Sequence, residues 1–260
     1  MVKEFVGPVY LEPIEHVYIH RETGKKYTSV TKILGSVEHE FETELVALRI
    51  SKQSDNNPKK NPDYVGKTVE EILDYWQWLN DTANEYGTFV HEAVENYLLA
   101  QKWYFPKTHE EYGNLEAKAI KAYEKLDVDE GICMYPERIM FSEKYGLAGT
   151  ADLKIDIDDK WFDIGDWKTN KKFEFYNAFG GQCLKKPVDH LQQCHYSIYS
   201  LQLSIYALMC EEETGMKCRH IWIGYWSRET EEFSKIPIMY LKNEAKMILE
   251  LHKYNTEIAV

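Results

Sequence analysis

The sequence predicts a mixed α/β domain, a central β-sheet flanked by helices. Three observations carry this expectation. A stretch from Gly146 to Lys172 alternates apolar and polar residues on either side of an acidic turn, and several other stretches repeat apolar residues at helical spacing. The 260 residues suffice for one sizeable core, and 44% hydrophobic with 14% aromatic residues excludes a disordered chain. We read residues 1–260 as a single domain, with a mainly helical portion over about 31–127 and the core over about 128–240.

The elements follow in chain order. Val9 to Tyr27 alternates around Arg21-Glu-Thr-Gly24 and reads as a strand pair with a turn. Thr28-Ser29-Val30-Thr31 then opens a helix with a hydroxyl cap. Ser51 to Tyr64 is rich in Asn, Pro, Lys and Ser and reads as a mobile loop. Thr68 and Glu71 form a capping box, opening a helix whose Ile72, Leu73, Tyr75, Trp76 and Leu79 are expected in the core. In the next helix Val90, Ala93, Val94, Tyr97 and Leu98 define a buried stripe, and His91 and Glu95, four residues apart, lie beside it facing the interior. A packing helix is expected over about Glu110–Leu126, and a strand opening at Pro136-Glu137. Asn177 to Lys186 reads as a glycine-containing loop and His190 to Cys210 as a long helix. Within it Gln202 and Tyr206 face one way, with Leu201, Ile205 and Leu208 on the apolar side. Cys218–Trp226 and Phe233–Met239 read as strands and Leu241–Tyr254 as a closing helix.

The chemistry gathers in the stretch from Gly146 to Lys172. A three-residue loop at 158–160 would set Ile157 against Trp161 and bring Asp152 opposite Asp166, with Cα atoms roughly 5 Å apart. Lys168 returns to the face of Asp166 two residues later. Two adjacent carboxylates repel unless a hard cation such as Mg²⁺ lies between them, and a nearby lysine can orient or deprotonate water or stabilise charge on a phosphate. A one-residue slip would instead match Leu153 to Ile164 and Ile155 to Phe162, so a bulge near Gly165 is assumed to reconcile the two registers.

Gly149-Thr-Ala-Asp152 followed by Asp166-Trp-Lys168 resembles the core of the RecB-like branch of the PD-(D/E)XK nucleases. Gly87-Thr88-x-x-His91-x-x-x-Glu95 resembles that branch's histidine helix, and Gln202-x-x-x-Tyr206 its third motif. HVYIHRETGKKYTSVTKIL is similar to a segment of phage and mitochondrial members. The resemblance spans about Val17 to Trp226. It implies a restriction-endonuclease-like core and a Mg²⁺- or Mn²⁺-dependent deoxyribonuclease, foremost an exonuclease of recombination or repair. In it Asp152 and Asp166 bind metal, His91 and the carbonyl of Trp167 add ligands, and Lys168 activates water. Glu95 would hold the imidazole, Glu137 would support the site from a neighbouring strand, and Gln202 with Tyr206 would orient the lysine or the nucleic acid. A structure- or sequence-specific endonuclease, or a non-catalytic DNA-processing accessory, are the alternatives.

A formal charge of −12 argues against a protein that coats nucleic acid, so basic residues must act locally. Lys171, Lys172, Lys185 and Lys186 follow the acidic pair and are expected to draw in DNA, preferably at a single-stranded end; Lys59 and Lys60 sit in the polar loop. Cys133, Cys183, Cys194, Cys210 and Cys218 contain no C-x-x-C, so they are read as thiols. Because some RecB-like nucleases hold an iron–sulfur cluster through one upstream and three downstream cysteines, and this spacing differs, no cluster is expected. The N-terminal MVKEFVGPVY lacks a basic apolar signal, and no run approaches the ~18 apolar residues of a membrane span. A cytoplasmic protein without a membrane partner is expected, in the host if phage-encoded.

Overall fold

Three short strands open the chain: β1 (Val9–Glu12), β2 (Val17–His20) and β3 (Lys26–Ser29), joined as antiparallel hairpins. This is one strand more than expected over Val9–Tyr27. The added turn is built by Glu12, whose carboxylate accepts from the Glu15 amide at 2.6 Å, and by His16 at φ 50°. Ser29 then caps α1 (Val30–Val37), accepting from the Lys32 amide. The computed structural model describes residues 1–4, 6–100, 103–178 and 180–258.

The chain divides into two compact units, one of Met1–His39 with Phe89–Val260 and one of Glu40–Thr88. The smaller unit holds α2 (Thr43–Asn56), a 3₁₀ turn at Pro62–Tyr64 and the beginning of α3 (Val69–Leu99). Ser51–Tyr64 is therefore not one long loop: its first six residues finish α2, because loop-forming residues dominate only from Asn57 onward. The Thr68–Glu71 capping box forms reciprocally, at 2.8 and 3.2 Å. The residues after it are not mainly core. Ile72 is buried, but Trp78 and Leu79 are exposed and Tyr75 stacks on Trp78, since this short unit has too little apolar surface to cover every side of the helix. The two helices expected here are one helix of 31 residues.

In the larger unit, α3 continues through the expected stripe, with Val90, Ala93, Val94, Tyr97 and Leu98 all buried. The packing helix is shorter than expected, α4 (Leu115–Lys125), because Gly113 at φ 57° belongs to the turn before it. Then come β4 (Cys133–Ser142), β5 (Leu147–Asp156) and β6 (Trp161–Lys168), with Pro136 inside β4 rather than at its start. The helix expected from His190 begins later, as α5 (His195–Thr214), after turns that include the Leu184–Leu191 hydrogen bond. β7 (Lys217–Ser227), β8 (Glu232–Pro237) and α6 (Lys242–Ile258) complete the fold.

The eight strands form one mixed sheet, β1-β2-β3-β5-β6-β7-β8, with β4 also paired to β5. β4, β5 and β6 are antiparallel neighbours, whereas β6 and β7 are parallel, with α5 as the crossover. α5 is buried nearly all round, from Ser197 to Cys210, so it packs inside the unit and shows no amphipathic face. Phe162, Ile164, Leu201, Leu203 and Ile205 share its core cluster with Val30 and Ile33 of α1. Cys133, Cys194, Cys210 and Cys218 are buried thiols and Cys183 is half-buried. Among the described residues no helix is long and apolar enough to cross a membrane.

Candidate active site

Asp158 makes the hairpin turn, its carboxylate accepting from the amides of Lys160 and Trp161 at 2.8 Å each. The β5–β6 ladder then runs from Asp156↔Phe162 to Leu153↔Gly165, the register that sets Asp152 level with Asp166. No bulge interrupts it; the irregularity in β6 lies between Phe162 and Asp163, in its pairing with β7. The competing register offers no advantage because both faces are buried: Leu153, Ile155, Phe162 and Ile164 are all at most 1% exposed. Gly165 serves packing instead. A Cβ there would lie 2.3 Å from the Trp222 ring, which fills the space opposite Leu153.

Beyond Leu153↔Gly165 the two strands part. The Trp167 amide donates to Asp152 Oδ2 at 2.6 Å instead of continuing the ladder. On the other side of β5 the ladder pairs Pro136↔Leu153 and Arg138↔Ala151 but skips Glu137, whose φ of 48° is uncommon for a residue with a side chain. Such strain costs about 1–3 kcal/mol and gathers where function requires it. The sheet is thus opened at the level of Asp152 on both sides.

Into this gap project Asp152, Asp166 and Lys168 from the hairpin, Glu137 from β4, and His91 and Glu95 from α3. Lys168 is ion-paired to Asp166, and His91 Nδ1 lies 3.3 Å from Asp152 Oδ2. Burial, then Asp152, push the Asp166 carboxyl up to about 6 although Lys168 opposes the shift. Burial also raises Asp152, against Lys168 and the Trp167 amide. Glu137 is pushed up to about 9 by burial and by Asp152, Glu95 and Asp166. Glu95 is raised by burial, then by Glu92 and Asp152. Burial alone would lower Lys168, but Asp166 and Asp152 outweigh it and hold the ammonium above its usual range. The ammonium is thereby placed to donate and to supply positive charge beside the two aspartates. Burial and Lys168 lower His91 to about 4, keeping the imidazole neutral.

Gln202 and Tyr206 stand behind the pair. Gln202 Nε2 donates to the Tyr206 hydroxyl at 3.1 Å, and burial, then Asp166, raise the phenol well above its usual range. A Cβ on Gly149 would meet Tyr206 Cε1 at 2.5 Å, so the glycine of the Gly149–Asp152 motif is where α5 touches the strand. Tyr199 and Asn170 were missed in the sequence. The Lys168 ammonium lies 5.0 Å from the Tyr199 ring centroid, and the Tyr199 hydroxyl donates to Asn170 Oδ1 at 2.7 Å. Tyr199 is one helical turn before Gln202, a spacing that could have revealed it. Trp167 is buried against Trp222 and Tyr123, with its backbone beside His91. Lys171, Lys172, Lys185 and Lys186 are exposed and outside the carboxylate cluster. Phe179, in the expected loop, lies outside the described residues.

No family model and no curated protein matches the chain. Among solved structures, it is similar to a "Putative exonuclease" from Eubacterium rectale, with TM-score 0.43, 16% identity and coverage of 66% of this chain and 65% of that one. The chain thus spans 65% of that relative's length. It is also similar to a protein designated SSO0001, with TM-score 0.28, 15% identity and coverage of 87% and 83%. At these TM-scores neither likeness bears on the chemistry of the site.

Proposed function

We propose that this chain is a Mg²⁺- or Mn²⁺-dependent deoxyribonuclease with a restriction-endonuclease-like core, acting as a RecB-like exonuclease. One observation carries the reading: Glu137, Asp152 and Asp166 crowd around the ammonium of Lys168 where the sheet is opened, with Glu95 beside Asp152 and Glu137. Like charges held this close raise one another's proton affinity, and a bound cation is what would allow the aspartates to ionise together. The donor types fit a hard divalent ion, with Asp152, Asp166, the Trp167 carbonyl and His91 as its ligands. As the side chains stand, Asp152 is turned to the Trp167 amide and Asp166 to Lys168. Among the described residues no three of His, Cys, Asp and Glu form a ready-made metal cluster, so occupation requires these carboxylates to turn.

When bound, the ion supplies Lewis-acid polarisation of the phosphodiester and a more acidic water. The protein's own part follows from where its charged and polar groups stand. Lys168 stabilises negative charge growing on the phosphate oxygens, an interaction made mainly in the transition state. Neutral His91 orients the aspartate beside it, and Gln202–Tyr206 with Gly149 fixes the strand that carries Asp152. His91 and Glu95 on one helix and Tyr199 on another stand beside the cluster, and a strand threaded in by its end is the mode of loading that goes with this reading.

Calorimetric titration with Mn²⁺ tests the site, and end-labelled linear against covalently closed single-stranded DNA tests the mode of cutting. Saturable binding that disappears in Asp152→Asn and Asp166→Asn is expected, with linear DNA degraded, circles resistant and the rate falling with salt. Binding unaffected by either substitution would overturn the metal site; rapid cutting of circles would leave an endonuclease.

A further inference from the structure

Residues 168–199 invert the charge of the protein. They carry five lysines against one glutamate and one aspartate, in a chain whose formal charge is −12. Lys171, Lys172, Lys185 and Lys186 are exposed, with Lys185 close enough to Glu38 to oppose the rise of that carboxyl. The same segment is dense in aromatic rings, which form a connected series. It starts at Lys168, whose ammonium lies 5.0 Å from the Tyr199 ring centroid. Tyr199 is stacked on His195 at 5.6 Å with 5° between planes, and both touch Phe173, the buried hub. Phe173 meets Phe175 at 5.0 Å, and Phe175 meets Tyr196 at 5.7 Å. Phe175, at the outer end of the series, is 49% exposed, and Tyr176 next to it in the chain is 78% exposed.

We propose that this segment is a stacking track for single-stranded DNA, with the bases of the incoming strand on Phe175 and Tyr176 and its phosphates on the four lysines, delivering the strand to Lys168. Stacking needs the face of an unpaired base, so the track selects single strands, and every base offers such a face, so it is tolerant of sequence. The lysines match the phosphates in charge, and the rings explain why the apolar area is exposed beside them. The direction of delivery rests on the nuclease reading above; the binding does not.

The test is binding in EDTA, read by fluorescence anisotropy with a labelled oligothymidylate, an abasic strand of equal length and a blunt duplex. The thymidylate strand should bind at least about tenfold more tightly than the abasic one, and Phe175→Ala/Tyr176→Ala should remove that difference. Lys171→Gln/Lys172→Gln should weaken both strands equally and reduce the salt slope by about 0.7 for each phosphate that is no longer neutralised. Equal affinity for thymidylate and abasic strands, or an alanine double variant that binds as the wild type does, would overturn the track; rings kept for a protein partner would give that result. Cleavage with Mn²⁺ on the same preparation separates the two readings. Base-dependent binding without cleavage keeps the track and removes the nuclease, whereas cleavage without base dependence does the opposite.

Discussion

Asp163 and Asp166 stand three residues apart on β6, both almost wholly buried at 3% and 1% exposure, yet their surroundings are opposite. Asp163 accepts two hydrogen bonds from Arg219, at 3.0 and 2.7 Å, and one from the His220 amide at 3.0 Å; Arg219 also reaches Asp129. Asp166 shares one ammonium with Asp152 and faces further carboxylates across the gap. A buried carboxylate surrounded by donors is a structural fixture, because its charge is fully compensated where it lies. One crowded by like charge keeps an unmet demand for a cation, and such sites concentrate function.

Removing each aspartate's cationic partner should separate the two. Lys168→Ala should lower DNA cleavage by about 10²- to 10³-fold, since it deletes a donor used in the transition state, whereas Arg219→Ala should leave the rate within a few-fold. Single-turnover kinetics of the two variants decide it; equal losses would erase the distinction. Stability should respond in the other sense. Arg219→Ala leaves Asp163 buried with the His220 amide as donor and the His220 imidazole 3.7 Å away, and should cost about 2–3 kcal/mol in a urea melt, tempered by the partial exposure of the guanidinium. A melt like that of the wild type would mean the Asp163 pair is ornamental.

Glu137 sharpens the electrostatic half. Its carboxyl is raised from 4.5 to about 9 in the folded protein, so between those values the native state holds a proton that the unfolded chain has released. This contribution is fully present below the unfolded value and is lost as pH rises through the folded one. In metal-free buffer the wild type's Tm should therefore fall more steeply between about pH 7 and 9 than that of Glu137→Gln. Parallel curves would show that Glu137 is not crowded. The smallest effect concerns His91: imidazole suits Mn²⁺ better than Mg²⁺, so the wild type should work faster in Mn²⁺, and His91→Ala should narrow that preference by a few-fold. A variant that keeps the full preference has lost no ligand.

Much of the candidate site was legible because its signals are local. The hairpin register follows from period-two alternation and a turn whose first aspartate caps its own amides, so Asp152 and Asp166 could be placed level before any packing was known. Ser29 and the Thr68–Glu71 box were readable for the same reason, since a cap bonds within three residues of itself. The stripe on α3 announced itself by spacing, which also put His91 and Glu95 on its edge.

Legible from the sequence, then, are which residues share a face and which helices a hydroxyl cap opens, since neighbouring residues set those through backbone geometry and hydrogen bonds of short range. Only the tertiary structure decided what lies across from them. That Gly165 makes room for Trp222 and needs no bulge, that Gly149 is pressed by Tyr206, and that Tyr199 lies over Lys168 all depend on contacts between segments far apart in the chain. The opening of the sheet at Glu137, the division of α3 between two units and the gathering of carboxylates beside Lys168 are of the same kind. Burial and charge act through space, and the partners that impose them have no fixed distance along the sequence.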